Sequence, residues 1–197
     1  MRISESNNLK TCAHKGRSRK AIDIMENLIK KAKAHDPDAF TALMQSQMRN
    51  MYRTARAILM TDEDAADAIQ ETILVCWEKM KDLKEDKYFQ TWMTRILINN
   101  CYEIIRNNKD VMYVDRLPEQ AGEDTTDNLE WKEALSILDE KYRLVLVLFY
   151  CEGFHTKEIA KMLQILNATV RTRLARGRKQ LAEYYKDDSY SRKEQIG

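Results

Sequence analysis

Apolar residues recur three and four positions apart along most of the chain, the spacing that lays a single stripe down a helix. A first helix is expected from Ile22 to about Ala34. Asp36 then stands as an N-cap with Pro37 in the first helical position, which starts a second helix lasting to about Met60. Thr61 caps the third, "TDEDAADAIQETILVCWEKMKDL", whose first turn gathers Asp62, Glu63 and Asp64 where the helix dipole favours negative charge. Its inward stripe is Ala65, Ile69, Ile73, Cys76 and Met80. After a loop ending at Lys87, "YFQTWMTRILINNCYEIIRNNKD" supplies a core side of Phe89, Met93, Ile96 and Ile104, with Arg95, Asn99 and Arg106 elsewhere.

Between Asn107 and Asp127 the pattern dissolves into acidic and polar residues with Pro118 and Gly122, the composition of a linker. Helical periodicity resumes over Leu129 to Leu138 and Lys141 to Tyr150, where "YRLVLVLFYCEG" is apolar nearly all round and so reads as the heart of a small domain. Five glycines and two prolines leave strands little punctuation, and the fold class that follows is all-α. The expected organisation is two small helical domains joined by an acidic flexible linker: a disordered basic arm at 1–21, a domain at 22–108, the linker at 109–127, a second domain at 128–186 and a polar tail at 187–197. The net charge of +2 conceals a division. From Asp110 to Glu140 there are ten acidic residues against two basic ones, whereas Arg171 to Lys179 holds five basic residues and no acid.

The second domain ends in "KEIAKMLQILNATVRTRLARGRK". A helix-turn-helix needs a small residue where its helices cross and apolar residues at set distances around it. Ala160 is the small residue, and Ile159, Leu163, Ile165, Val170 and Leu174 fall where the packing requires. The second helix offers Thr169, Arg171, Thr172, Arg173, Arg176 and Arg178, whose guanidinium forks and hydroxyls suit base edges and phosphates. Two positions are unusual. Gln164 stands where such a turn commonly has glycine, and Leu166 stands where a serine or threonine cap is common; Asn167 could cap instead and start the recognition helix one residue later, so the exact start of that helix stays open.

Two features of the first domain stay open on periodicity alone. Asp67, Gln70, Glu71 and Leu74 form one strip at helical spacing, which reads as a solvated face. Tyr88, Phe89 and Trp92 read as core anchors, although aromatics beside basic residues also suit stacking on unpaired bases. Catalysis has no candidate: His14, His35 and His155 are scattered, and neither a phosphate-cradling glycine loop nor a nucleophile elbow occurs. An enzyme is not expected, nor a cofactor or metal. Cys12, Cys76, Cys101 and Cys151 lie far apart without a CxxC pair, as in reduced intracellular proteins. With no apolar run long enough for a membrane span, a soluble cytoplasmic protein is expected.

Two stretches together resemble one family. "DAADAIQETILVCWEKM" with "YFQTWMTRILINNCYEIIR" is similar to region 2 of bacterial sigma factors, and "LDEKYRLVLVLFYCEGFHTKEIAKMLQILNATVRTRLARGRKQL" to their region 4. The compact form is that of the extracytoplasmic function class. The resemblance implies that Asp67, Gln70, Glu71 and Leu74 dock on core RNA polymerase, which turns the solvated strip into an interface. It implies that the loop from Asp82 to Lys87, with Tyr88, Trp92, Arg95 and Asn99, opens and holds the minus-ten element of promoter DNA. Asn167, Thr169, Arg171, Thr172, Arg173, Arg176 and Arg178 would face the minus-thirty-five element, and an anti-sigma factor would hold the domains closed. The alternatives from other classes are a polymerase-independent helix-turn-helix regulator and a helical adaptor that binds only proteins. The first leaves the acidic strip and the aromatic-basic helix idle.

Overall fold

Asp36 and Thr61, the two caps read from the sequence, set the starts of the first domain's main helices. In the computed structural model, α1 (Arg19–Lys33) is followed by α2 (Pro37–Arg56), where the Asp36 carboxylate accepts from the Asp38 and Ala39 N–H groups, both at 3.0 Å. In α3 (Asp62–Lys79) the Thr61 hydroxyl accepts from the Asp64 N–H at 3.1 Å. Each bond satisfies a donor that the first helical turn would otherwise leave without a partner. Two single 3₁₀ turns, Met80–Asp82 and Asp86–Tyr88, lead into α4 (Phe89–Asn108). The second domain holds α5 (Glu140–Leu146), a π-helical turn at Val147–Cys151, α6 (Thr156–Leu163) and α7 (Asn167–Glu194).

The structure describes the backbone of residues 19–108 and 135–194 and the side chains of residues 23–108 and 135–186. Residues 1–18, the linker expected at 109–127 and nearly all of the helix expected from Leu129 lie outside these. Four boundaries differ from expectation. The first helix begins at Arg19 rather than Ile22. The second helix ends at Arg56 rather than about Met60. The helix expected over Lys141 to Tyr150 changes to π geometry at Val147, in a segment whose all-round apolar character gives no periodicity to fix its register. The last helix runs to Glu194, through the segment expected to be a polar tail.

The core of the first domain forms where α3 lies on α4 and both lie on α2. The expected stripe of α3 is inside: Ala65, Ile69, Cys76 and Met80 are buried and Ile73 is half-buried. Thr72 is buried with them, its hydroxyl donating to the Ala68 carbonyl at 2.6 Å and accepting from Asn100 Nδ2 at 3.0 Å, so that α3 and α4 are pinned together by a satisfied polar pair. Lys33 at the end of α1 pairs with Asp86 at 2.9 Å and ties the loop before α4 to the first helix.

The two domains also pack on each other. α6 lies against α4, and the π turn lies against α2. Arg143 of α5, only 8% exposed, donates from Nε to the Ala57 carbonyl at 2.8 Å. Arg53 Nε donates to Glu152 Oε1 at 3.1 Å, and the Glu152 side chain is only 2% exposed. Tyr102 of α4 donates its hydroxyl proton to Glu140 Oε1 at 2.7 Å.

Candidate nucleic-acid interface

The helix-turn-helix is built as its spacing requires. Ile159, Ala160, Val170 and Leu174 are buried, while Leu163 and Ile165 pack half-buried against the same core. Gln164 takes the left-handed conformation, φ 54° and ψ 40°, in the place where glycine would be strain-free. That conformation costs a non-glycine residue about 1 kcal/mol, which the buried hairpin offsets. Glu158 closes the start of α6, accepting the His155 N–H at 2.8 Å.

The structure decides which residue caps the recognition helix. The Leu166 carbonyl accepts the Val170 N–H at 3.2 Å, which makes Leu166 the cap residue and Asn167 the first residue inside α7. Asn167 Oδ1 is buried and accepts no hydrogen bond within the chain. A leucine side chain cannot accept from the first-turn N–H groups, so the helix begins uncapped, at a cost of about 1 kcal/mol relative to serine or threonine.

α7 buries Val170, Leu174, Gly177 and Leu181 against the second domain. At 100° per residue the remaining candidates divide between two flanks of that buried stripe. Asn167, Arg171 and Arg178 fall on one side, while Thr169, Thr172, Arg173 and Arg176 lie across the outer surface and the other side. Arg171, Thr172, Arg176 and Arg178 are exposed, whereas Asn167, Thr169 and Arg173 are half-buried. The Thr172 hydroxyl donates to the Ala168 carbonyl at 3.0 Å. Gly177 allows the close approach of α5: a Cβ there would meet Leu146 Cδ1 at 2.8 Å and Tyr142 Cβ at 3.3 Å.

The four aromatic-polar candidates, Tyr88 in the 3₁₀ turn before α4 and the other three on α4, share a single stripe. Tyr88, Trp92, Arg95 and Asn99 are spaced four, three and four apart. Tyr88 is exposed, with Lys87 Nζ 4.8 Å from its ring centroid. Trp92 is half-buried with its ring 6.2 Å from that of Phe89, which makes it in part a core anchor. Arg95 and Asn99 are exposed. The stripe continues through Tyr102, the residue bonded to Glu140 of the second domain. Burial, the bond to Glu140 and that carboxylate's charge raise the Tyr102 hydroxyl pKa above its ordinary value, while the Arg173 cation works in the opposite direction. The recognition helix thus lies close to the far end of the α4 stripe.

On α3, Asp67, Gln70, Glu71 and Leu74 are all exposed on one face, Leu74 at 59%. Beside them runs a groove between α2 and α3, lined by Met48, Tyr52, Ile69 and Ile73. Sequence reasoning named the strip and missed the groove, although Met48 and Tyr52 at an i, i+4 spacing were a readable signal. It also missed Arg53, Arg143 and Glu152, the residues that join the domains. Nothing in periodicity points to partners 86 or 99 positions apart. Among the described residues no cluster of three or more His, Cys, Asp or Glu could hold a metal, and no helix is long and apolar enough to cross a membrane.

A family profile described as Sigma-70 region 2 matches residues 43–111, and one described as Sigma-70, region 4 matches residues 128–181, together more than half of the chain. The chain is similar to the ECF RNA polymerase sigma factor SigW of Bacillus subtilis, at 28% identity over 185 residues, covering 83% of this chain and 98% of that one. It is similar to the ECF RNA polymerase sigma factor SigM of Mycobacterium tuberculosis, at 29% identity, covering 76% and 78%. Among solved structures, CnrH in complex with the cytosolic domain of CnrY shares the fold, with a TM-score of 0.63 at 24% identity, covering 84% of this chain and 99% of that one. So does the sigma factor RpoE in complex with the anti-sigma factor NepR from Bartonella quintana, with a TM-score of 0.63 at 21% identity, covering 75% and 96%.

Proposed function

This chain belongs to the extracytoplasmic function class of bacterial sigma factors, and from that premise we propose how its surfaces divide the work. As a sigma factor it binds core RNA polymerase and directs promoter-specific initiation of transcription. The α3 strip of Asp67, Gln70, Glu71 and Leu74 is the polymerase contact. Its exposed leucine among carboxylates suits a basic, partly apolar protein surface.

The α4 stripe receives the melted minus-ten strand. Tyr88 stacks on an unpaired base, Trp92 holds the helix against the core beneath it, and Arg95 and Asn99 contact the strand's backbone and base edges. The recognition helix enters the major groove of the minus-thirty-five element, with Arg171, Thr172, Arg176 and Arg178 as its outermost contacts. Asn167, Thr169 and Arg173 reach DNA only after small movements, Arg173 after the domains part. The factor works by binding, in the cytoplasm where polymerase and promoters are. An anti-sigma protein is its regulator. The partners of CnrH and RpoE support that reading, since this chain has the same fold.

The observation that carries the proposal is the presence in one chain of an exposed acidic strip on α3 and an uncapped, arginine-rich recognition helix on α7. A free-standing regulator needs the second and has no use for the first. The test is a pull-down with core polymerase followed by transcription in vitro. Asp67→Ala with Glu71→Ala weakens capture of core and leaves the fold intact, whereas Arg171→Ala with Arg176→Ala spares capture and abolishes promoter-dependent transcripts. Failure of the wild-type chain to bind core would refute the proposal.

A further inference from the structure

Leu166 is 77% exposed, the most exposed of the large hydrophobic residues among those described. Its position forgoes stability twice over. It stands at the cap of α7, where it forfeits the hydrogen bond that a serine or threonine would make, and its isobutyl group gains nothing from burial. Neither helps the folded domain. The turn determines its direction: Gln164 at φ 54° sends Ile165 inward against the core, and Leu166, one residue later, points out at the leading edge of the recognition helix. Its surroundings name the surface it meets. Arg171 to Lys179 carry five positive charges without an acid, so this end of the domain faces a polyanion.

Within a DNA major groove the one apolar feature at the base edges is the C5-methyl of thymine. We propose that Leu166 is a specificity-determining residue that packs on a thymine methyl in the upstream promoter element. The inference rests on the reading of α7 as a major-groove helix and adds a base preference to it. It also accounts for the missing cap: the side chain at this position serves the complex and not the free domain.

The test removes only the methyl. An upstream element is selected by in vitro transcription with the holoenzyme from a randomised library. Each thymine is then replaced singly by deoxyuridine, and holoenzyme binding is measured. For the wild type, one replacement weakens binding about fourfold, the worth of one buried methyl. Leu166→Ala and Leu166→Ser bind the thymine and uracil duplexes equally, and Leu166→Ser gains thermal stability from its restored cap. Arg171→Ala binds both more weakly with the fourfold ratio preserved. A selected element in which no thymine is sensitive, or a ratio that survives in Leu166→Ala, overturns the inference while leaving the sigma reading in place. Holoenzyme that selects no upstream element at all overturns both.

Discussion

Arg143→Ala loosens the packing between the two domains without unfolding either. The guanidinium is buried and makes its bond to the Ala57 carbonyl, in the turn after α2, 86 residues away. A hydrogen bond from a charged donor is worth about 1.5–3 kcal/mol, and truncation also leaves the carbonyl without its partner. Against this stands the desolvation that lowers the Arg143 pKa, a penalty relieved when the side chain is removed. A net loss of about 2 kcal/mol is expected, which shifts the equilibrium between packed and separated domains by roughly 30-fold. The measurement is a spin-label distance between Ala66→Cys on α3 and Ala175→Cys on α7, both exposed, in a background lacking Cys12 and Cys151. The wild type gives a narrow short distance, Arg143→Ala adds a broad longer population, and Arg49→Ala, exposed elsewhere on α2, matches the wild type. An unchanged distribution in Arg143→Ala would show that the junction is held by apolar packing alone and refute the reasoning.

Three further outcomes follow from the same geometry. Gly177→Ala sets a gain in helix propensity of about 1 kcal/mol against an overpacking cost of about 1–3 kcal/mol from Leu146 and Tyr142. Calorimetry should therefore show a lower Tm for the variant, and a higher one would mean that Leu146 swings aside freely. Burial pushes the Cys76 and Cys101 thiols up to about 12, so both resist alkylation at pH 8 until the chain is unfolded; rapid modification of the native protein would contradict their placement. Tyr102 is raised from its ordinary value of 10, so its contribution to the junction is fully present below pH 10 and disappears as pH rises through the folded value. The spin-label distance should broaden above about pH 10 in the wild type and already be broadened at neutral pH in Tyr102→Phe.

What could be read in advance was local chemistry. Asp36 with Pro37, and Thr61 with three following acids, are signals complete within four residues, and both helix starts were found. The helix-turn-helix was legible for the same reason: its packing positions lie within sixteen residues of one another, and all are buried or half-buried as their spacing requires. The start of the recognition helix stays open in the sequence because residue preference favours asparagine over leucine as a cap, whereas the position of the turn is set by Gln164 and the burial of Ile165. The π turn at Val147 and the Arg143, Glu152 and Tyr102 contacts had no local signature. They depend on which domain surfaces meet, and hydrophobic periodicity records only that a face is covered.

The junction also constrains how the factor can work. The minus-ten and minus-thirty-five elements are about 25 base pairs apart, which at 3.4 Å per pair is about 85 Å of duplex. In the packed arrangement Tyr102 on the α4 stripe is bonded to Glu140 beside the recognition helix, and the whole of α7, at 28 residues, is only about 42 Å long. On the proposed assignment of the α4 stripe and α7 to these elements, the two surfaces cannot reach both while the junction is closed. The 26 residues from 109 to 134 can in principle span about 90 Å, so the covalent chain permits what the junction forbids. On that assignment, opening accompanies promoter engagement, and the free energy of the Arg143, Arg53 and Tyr102 contacts is subtracted from the binding of polymerase and DNA. A stronger junction would make a quieter factor, and a weaker one a factor that engages promoters at lower concentration.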